Sequence, residues 1–293
     1  MFLLLLVDYS NYWLMWHWSK LSSVKWLDAW EERFYGNPNS VINEIKGGKS
    51  IRVEVYCESE EEAKRIQEQF GGSIRVVKEQ NWAALSEVAR PPLKIRDALL
   101  ITGSREGGVV RELQKEFPKR HVIRMPAEMA FGTGDHATTS TCLRLLVDVS
   151  RERKGSDWQM LDLGCGTAVL AIAARLLGAE KCEAHDFDPQ AVRVSEQNLV
   201  LNKVDGIKIL EQDVLKWTPP QQWQVVVANL FSTILQQAFG TIEKALKDDG
   251  DFIVSGILYE QWEPTRDAAE KAGLRFSKVI RKGKWVTARG AKR

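Results

Sequence analysis

The chain has 293 residues, 44% of them hydrophobic and 27% charged, and a formal net charge of +2. That length buries a large α/β core with room for a smaller domain, and so small a net charge excludes the global basic field of a nucleic-acid binder. The four cysteines (Cys57, Cys142, Cys165, Cys182) form no Cys-x-x-Cys pair, which argues against a zinc site or a disulfide frame and for a reducing cytosol.

Met1 to Val7 is apolar until Asp8 interrupts it. The basic start of a signal peptide is missing, and no run approaches the roughly 20 residues of a membrane span, so no membrane association is expected. Met15 offers a second start. Residues 1–48 are predicted as a tryptophan-rich helical segment, with Trp13, Trp16, Trp18, Trp26 and Trp30. Its rings either pack on the body or present a docking surface. Residues 49–80 read as a small β-α-β unit. Ile51-Arg52-Val53-Glu54-Val55 alternates like a half-buried strand, a helix follows to Phe70 with acids in its first turn, and Gly71-Gly72 leads to a strand over Ser73 to Val77. Residues 81–120 are predicted as a linker, broken at Pro91-Pro92 and turned at Gly107-Gly108.

Residues 121–293 carry the chemistry. The stretch from Met125 to Thr139 reads as a glycine-rich loop, then a helix from about Ser140 capped by Thr138 or Thr139; a helix start favours a carboxylate. Leu161-Asp162-Leu163-Gly164-Cys165-Gly166 is a short strand ending in an acid and a glycine turn, where a ligand can approach the backbone. A dinucleotide fingerprint needs a further glycine where Val169 stands, and avoids an acid such as Asp162 beside the pyrophosphate. S-adenosylmethionine has an ammonium and a sulfonium but no phosphate, so Asp162, Gly164 and Gly166 suit it better. Cys165 has no His-Asp pair near it in sequence and reads as structural.

A second strand, Cys182 to Asp186, ends 22 residues after Gly164 (186 − 164). That is close to the spacing of about 20 at which an acid meets ribose hydroxyls. Asp186 either accepts from both hydroxyls or, with Asp188, caps the helix opening at Pro189. The two acids straddle one residue and point to opposite faces, which disfavours a metal pair. Asp213, after a strand over Ile207 to Leu210, is either an acceptor for an adenine amino group or a turn residue. A fourth strand, Val225 to Ala228, runs into Asn229. Two last strands, Arg275 to Ile280 and Lys284 to Ala288, predict an antiparallel hairpin at Gly283. Its basic cluster, Arg281, Lys282, Lys284, Arg289, Lys292 and Arg293, reads as a solvated edge that deters strand pairing, or as a contact for an acidic or ribosomal partner.

Phe131-Gly132-Thr133-Gly134-x-His136-x-Thr138-Thr139, the Leu-Asp-Leu-Gly-Cys-Gly turn, His185-Asp186-Phe187-Asp188-Pro189 with Asn198, the run ending Ala228-Asn229-Leu230, and Ser255-Gly256-Ile257-Leu258 occur in this order. Together they resemble the bacterial ribosomal protein L11 methyltransferase family over roughly residues 120–290. The resemblance implies a class I, Rossmann-like methyltransferase sheet with a terminal antiparallel hairpin, plus a small amino-terminal α+β domain for substrate recognition. It implies S-adenosylmethionine as cofactor, with Thr139, Gly164, Asp186 and Asn229 as binding positions and Phe131, Gly132 and Gly134 in a loop closing over it. Two positions depart from the family pattern. Ala168 stands where a third glycine is usual and fits if its φ is helical; Glu128 stands where glycine precedes Met-Ala.

The resulting expectation is a cytoplasmic protein N-methyltransferase acting on amino groups of ribosomal protein L11, with no nucleic-acid partner and no metal. A neutral amine would displace the cofactor's sulfonium in line, with Asn229 aiming the nitrogen lone pair. The alternatives are a class I methyltransferase acting on another protein or a small molecule, and a catalytically weak cofactor-binding scaffold. A dinucleotide oxidoreductase fits least.

Overall fold

A computed structural model of the chain describes residues 14–27, 30, 33–34, 39–45, 48–57, 59–78, 91–126 and 136–293. The chain divides into two compact units, Met1–Ser86 and Glu87–Arg293.

In the first unit, β1 (Leu14–Ser23), β2 (Ser40–Glu44), β3 (Ser50–Cys57) and β4 (Ser73–Lys78) form one sheet in the order β2-β3-β1-β4, every neighbour antiparallel. The tryptophan-rich stretch is therefore a strand where a helix was expected. Its side chains alternate: Trp18 enters a core with Phe34, Ile51, Val53 and Val55, while His17 lies on the other face. β1 also pairs between β3 and β4, so the predicted β-α-β unit is split by a strand from the segment before it, and the two belong to one fold. Helix α1 (Glu60–Phe70) connects β3 to β4. Ser59 caps it, its Oγ accepting from Glu62 N at 3.2 Å, and Glu60, Glu61 and Glu62 sit at its positive end.

The described part of the stretch expected to be a linker, residues 91–120, is built structure. β5 (Leu93–Ile95), β6 (Leu99–Thr102), α2 (Gly107–Glu116) and β7 (His121–Arg124) form a three-stranded sheet with its crossover helix. Ile95, Leu99, Ile101 and Ile123 enter the same apolar cluster as the main sheet. Gly107 and Gly108 open a helix and do not mark a turn. Strands of three or four residues are too short to show a period.

The main sheet has the order β10-β9-β8-β11-β12-β14-β13. Five strands are parallel: β8 (Gln159–Leu163), β9 (Lys181–Asp186), β10 (Ile207–Glu211), β11 (Trp223–Asn229) and β12 (Leu246–Leu258). β13 (Leu274–Lys282) and β14 (Trp285–Lys292) add the antiparallel hairpin, β14 against β12. Helices α3 (Ala137–Glu152), α4 (Val169–Leu176), α5 (Pro189–Asn202), α6 (Ser232–Ala245) and α7 (Trp262–Lys271) alternate with the strands. Two apolar cores, one on each face, account for the continuous hydrophobic runs of β8 and β11. Strand order reverses between β8 and β11, where open α/β sheets form a crevice at the carboxyl ends of their strands. Among the described residues, no helix is long and apolar enough to cross a membrane.

Candidate functional site

After β8 the backbone turns through Gly164 (φ 71°), Gly166 (φ 54°) and Ala168 (φ 59°). Gly164 N and Cys165 N both donate to His185 O, at 2.8 and 2.9 Å, which ties the turn to the end of β9. Gly166 N donates to Asp186 Oδ2 at 2.9 Å, and Asp188 N donates to Asp186 Oδ1 at 3.1 Å. Asp186 thus fixes the turn at the strand crevice. Burial raises the pKa of its carboxyl, against the lowering effect of those two N–H groups. The cap of α5 is Asp188, whose Oδ1 accepts from Gln190 N at 2.8 Å ahead of Pro189.

Ala168 does not have the helical φ that its methyl group was expected to need. It is left-handed, at φ 59° and ψ 21°. Its N–H donates to Cys165 O and its carbonyl accepts from Ile172 N, so the turn and the start of α4 hold it there. For an alanine this conformation costs about 1–2 kcal/mol. Cys165 is buried, and burial drives its thiol pKa far up, which leaves it unfit as a nucleophile.

Asp162 is fully buried, and neither of its carboxylate oxygens has a partner among the described residues. Burial, and then the nearby charge of Asp186, push its pKa up to about 7. Asp162 pairs with Val227 in register, and side-chain alternation puts Asp162 and Asn229 on the same sheet face, two residues apart along the strands. Asn229 Nδ2 donates to Thr139 Oγ1 at 3.3 Å, while its Oδ1 is buried and unpartnered among the described residues. Thr139 is not the cap of α3. The helix begins at Ala137, and His136 caps it, its Nδ1 accepting from Thr138 N at 3.4 Å. Thr139 lies in the first turn, facing Asn229.

Asp213 bends back on its own turn: Oδ1 accepts from Leu215 N at 2.9 Å and Oδ2 lies 3.2 Å from Lys216 Nζ. The Leu215 N–H, then Lys216, hold its pKa below the usual carboxylate range. That is the turn-residue reading. Phe131, Gly132 and Gly134, with Glu128, lie outside the described residues.

Three residues had no role assigned from sequence. Phe187, between the two acids, is 75% exposed where an aromatic ring would normally be covered. Phe231 is 61% exposed just beyond Asn229. Leu230 packs so closely on the glycine turn that a Cβ on Gly164 would run into its Cδ2, and a Cβ on Gly256 would run into its carbonyl. Leu230 N also donates to Ser255 O at 3.1 Å. Exposure of Phe187 and Phe231 was signalled only by their place at strand ends; the fit of Leu230 had no sequence signal.

The structure therefore gathers Asp162, Gly164, Gly166, Asp186, Thr139 and Asn229 at the carboxyl ends of β8, β9 and β11 and the start of α3. An open buried carboxylate can take a cation. An open amide oxygen can take an N–H donor.

A family model described as ribosomal protein L11 methyltransferase (PrmA) matches residues 41–293. The ribosomal protein L11 methyltransferase of Bacillus cytotoxicus is 34% identical over 214 residues, covering 73% of this chain and 66% of that one. Its counterpart in Acetivibrio thermocellus is 33% identical over 208 residues, covering 71% and 63%. The matched region thus spans just under two thirds of the length of these curated relatives. Among solved structures, a ribosomal protein L11 methylase from Lactobacillus delbrueckii subsp. bulgaricus superposes with a TM-score of 0.60 at 26% identity, covering 69% of this chain and 98% of that one.

Proposed function

This chain belongs to the ribosomal protein L11 methyltransferase family, and we propose that it methylates amino groups of ribosomal protein L11 in the cytoplasm, using S-adenosylmethionine. The observation that carries the reading is the pair of open buried acceptors, Asp162 and Asn229 Oδ1, on one face of adjacent strand ends. Buried polar atoms are nearly always paired, so two unpaired groups side by side mark where ligand atoms belong.

The residues present fit that cofactor. Asp162 would face its ammonium group, and Asp186 its ribose hydroxyls. Gly164 and Gly166 give the turn the left-handed backbone that lets it follow the cofactor, and Phe187 offers a face for the adenine ring. Asp213, engaged in its own turn, adds little. When bound, S-adenosylmethionine supplies a methyl group on a positively charged sulfur.

The chain's own part is positioning. The bond from Asn229 Nδ2 to Thr139 fixes which way the amide points and leaves the buried Oδ1 as an acceptor that an incoming N–H would satisfy. An amine held that way presents its lone pair along one line. Such orientation is worth large rate factors. The amine must arrive neutral, and a pocket poor in water lowers an amine's pKa.

Mass spectrometry of purified ribosomal protein L11 after incubation with the protein and S-adenosylmethionine tests this. Mass increments of one methyl group are expected. A protein that binds S-adenosylhomocysteine in a calorimeter yet leaves L11 unchanged would show that the substrate lies elsewhere.

A further inference from the structure

The carboxyl-terminal hairpin sorts its charges by position. Along its length, Lys278 reaches Asp148 at 3.4 Å, Arg289 pairs with Glu152 and Asp251, Lys292 with Glu243 and Asp248, and Arg293 with Glu270. At the tip of the hairpin, Arg281 and Lys282 at the end of β13 and Lys284 in the turn have no carboxylate partner among the described residues. Arg275 also lacks one, but it sits at the far end of β13, opposite Ala291. Deterrence of strand pairing explains cations along the edge strand β13, Arg281 and Lys282 among them. It does not explain Lys284, which lies beyond the ladder, nor why the cations without a carboxylate gather at this end of the hairpin.

The turn stands at the mouth of the site. Lys282 Nζ lies 3.3 Å from Ser140 Oγ, and Ser140 follows Thr139, the partner of Asn229. The Trp285 ring meets His136, the cap of α3, edge-on at 5.3 Å. Tyr259 N donates to Lys284 O at 2.8 Å, and the Arg281 guanidinium lies 3.6 Å from the centre of the half-exposed Tyr259 ring. Three cations with no carboxylate partner among the described residues therefore frame the approach to an acceptor meant for an amine. A lysine arriving among neutral or basic neighbours is repelled there; one flanked by acids is held.

We infer that the hairpin turn docks carboxylates on the protein segment that presents the target amine. This rests on the proposed protein-methylating role, and it selects substrates by the acids beside the lysine.

The test is direct binding, which needs no turnover. A labelled peptide with a central lysine flanked by glutamates is titrated with the full-length protein, beside its glutamine counterpart and a single-stranded RNA of equal length. The glutamate peptide should bind about tenfold more tightly than the glutamine one, as three exposed charge pairs together would give. The advantage should shrink with added salt. It should vanish in a folded Arg281→Gln/Lys282→Gln/Lys284→Gln variant. Equal affinities for the two peptides, an advantage that survives in the variant, or tighter binding of the RNA would each overturn the inference. Discrimination between the peptides by a protein that leaves ribosomal protein L11 unmethylated would sink the proposed function and leave the inference standing.

Discussion

In the four-stranded sheet of the amino-terminal unit, His17 is 1% exposed and uses both ring nitrogens. Nδ1 accepts from Arg75 Nε at 2.9 Å, so the imidazole is neutral and its Nε2–H donates to Glu54 Oε1 at 3.0 Å. Trp18 Nε1 donates to Gly71 O, and Trp30 Nε1 to Ser22 Oγ. At the strand ends of the seven-stranded sheet the accounting is different. Asp162, His185 and Asn229 there, with Asn198 on α5, keep open buried atoms among the described residues, and apart from Arg153 Nε they are the ones that do. An unpaired buried polar group costs about 1–3 kcal/mol. Among the described residues, the first unit leaves no buried side-chain polar atom unpaired, while the second does.

The sharpest way to break this contrast is at Asn229. If its open oxygen aims the amine, Asn229→Ala should lower single-turnover methyl transfer roughly 10²-fold at saturating cofactor, with a smaller loss in cofactor binding. Full activity would remove it from the reaction, and equal losses in both would make it a binding residue only. The converse is His17→Ala, which opens a closed network. It should cost about 1–3 kcal/mol in denaturant unfolding and leave affinity for S-adenosylhomocysteine within about twofold. A large change in that affinity would mean the two regions are not independent.

Asp162 gives the contrast a pH dependence. Its carboxyl pKa is pushed up to about 7 in the free protein, and a ligand cation beside it would favour the ionised form. Binding then releases a proton. Affinity for S-adenosylhomocysteine should rise about tenfold per pH unit up to about pH 7 and flatten above it. The stability sign is opposite to that of a salt-bridged acid: the raised pKa favours the fold at low pH, and this is lost as pH rises through 7. Asp162→Asn should therefore be the more stable protein above that point, with binding weak and nearly blind to pH. A flat affinity profile in the unsubstituted protein would show that Asp162 faces no cation. The smallest effect belongs to Ala168→Gly. Release from the left-handed strain, less the entropy glycine adds to the unfolded chain, should stabilise by up to about 1 kcal/mol, with cofactor bound equally well or better. A loss of stability would mean the turn has adapted to alanine.

Much of the large sheet was legible because β8 to β11 are short runs that close on, or are followed within two residues by, a glycine, an acid or an amide, and function collects at those ends; β12, thirteen residues that open on Leu-Lys-Asp-Asp-Gly-Asp, carried no such signal. Asp162, Asp186 and Asn229 could be placed from that pattern. The openness of Asp162 and Asn229 could not, since it depends on what every neighbouring strand leaves unpaired. Between Pro91 and Arg124 the glycine pair at 107–108 opens a helix where a turn was expected, and the strands on either side hold only three or four residues. In β1, the density of tryptophans drew attention from the alternation of Trp16 and Trp18 with His17 and Ser19, which is the strand signal. Whether residue 168 would be left-handed was decided by the bonds of the turn around it, not by the identity of the residue.

Leu230 sits against two glycines far apart in the chain, Gly164 in the turn after β8 and Gly256 in β12. In evolutionary terms the three positions form a single character. A lineage that enlarges residue 164 must first shrink residue 230, whereas one that enlarges residue 256 must move the backbone of residue 230, next to Asn229. Drift at one of these sites should therefore be visible as compensating change at the others, and a descendant that has lost methyl transfer is the one in which that correlation should dissolve.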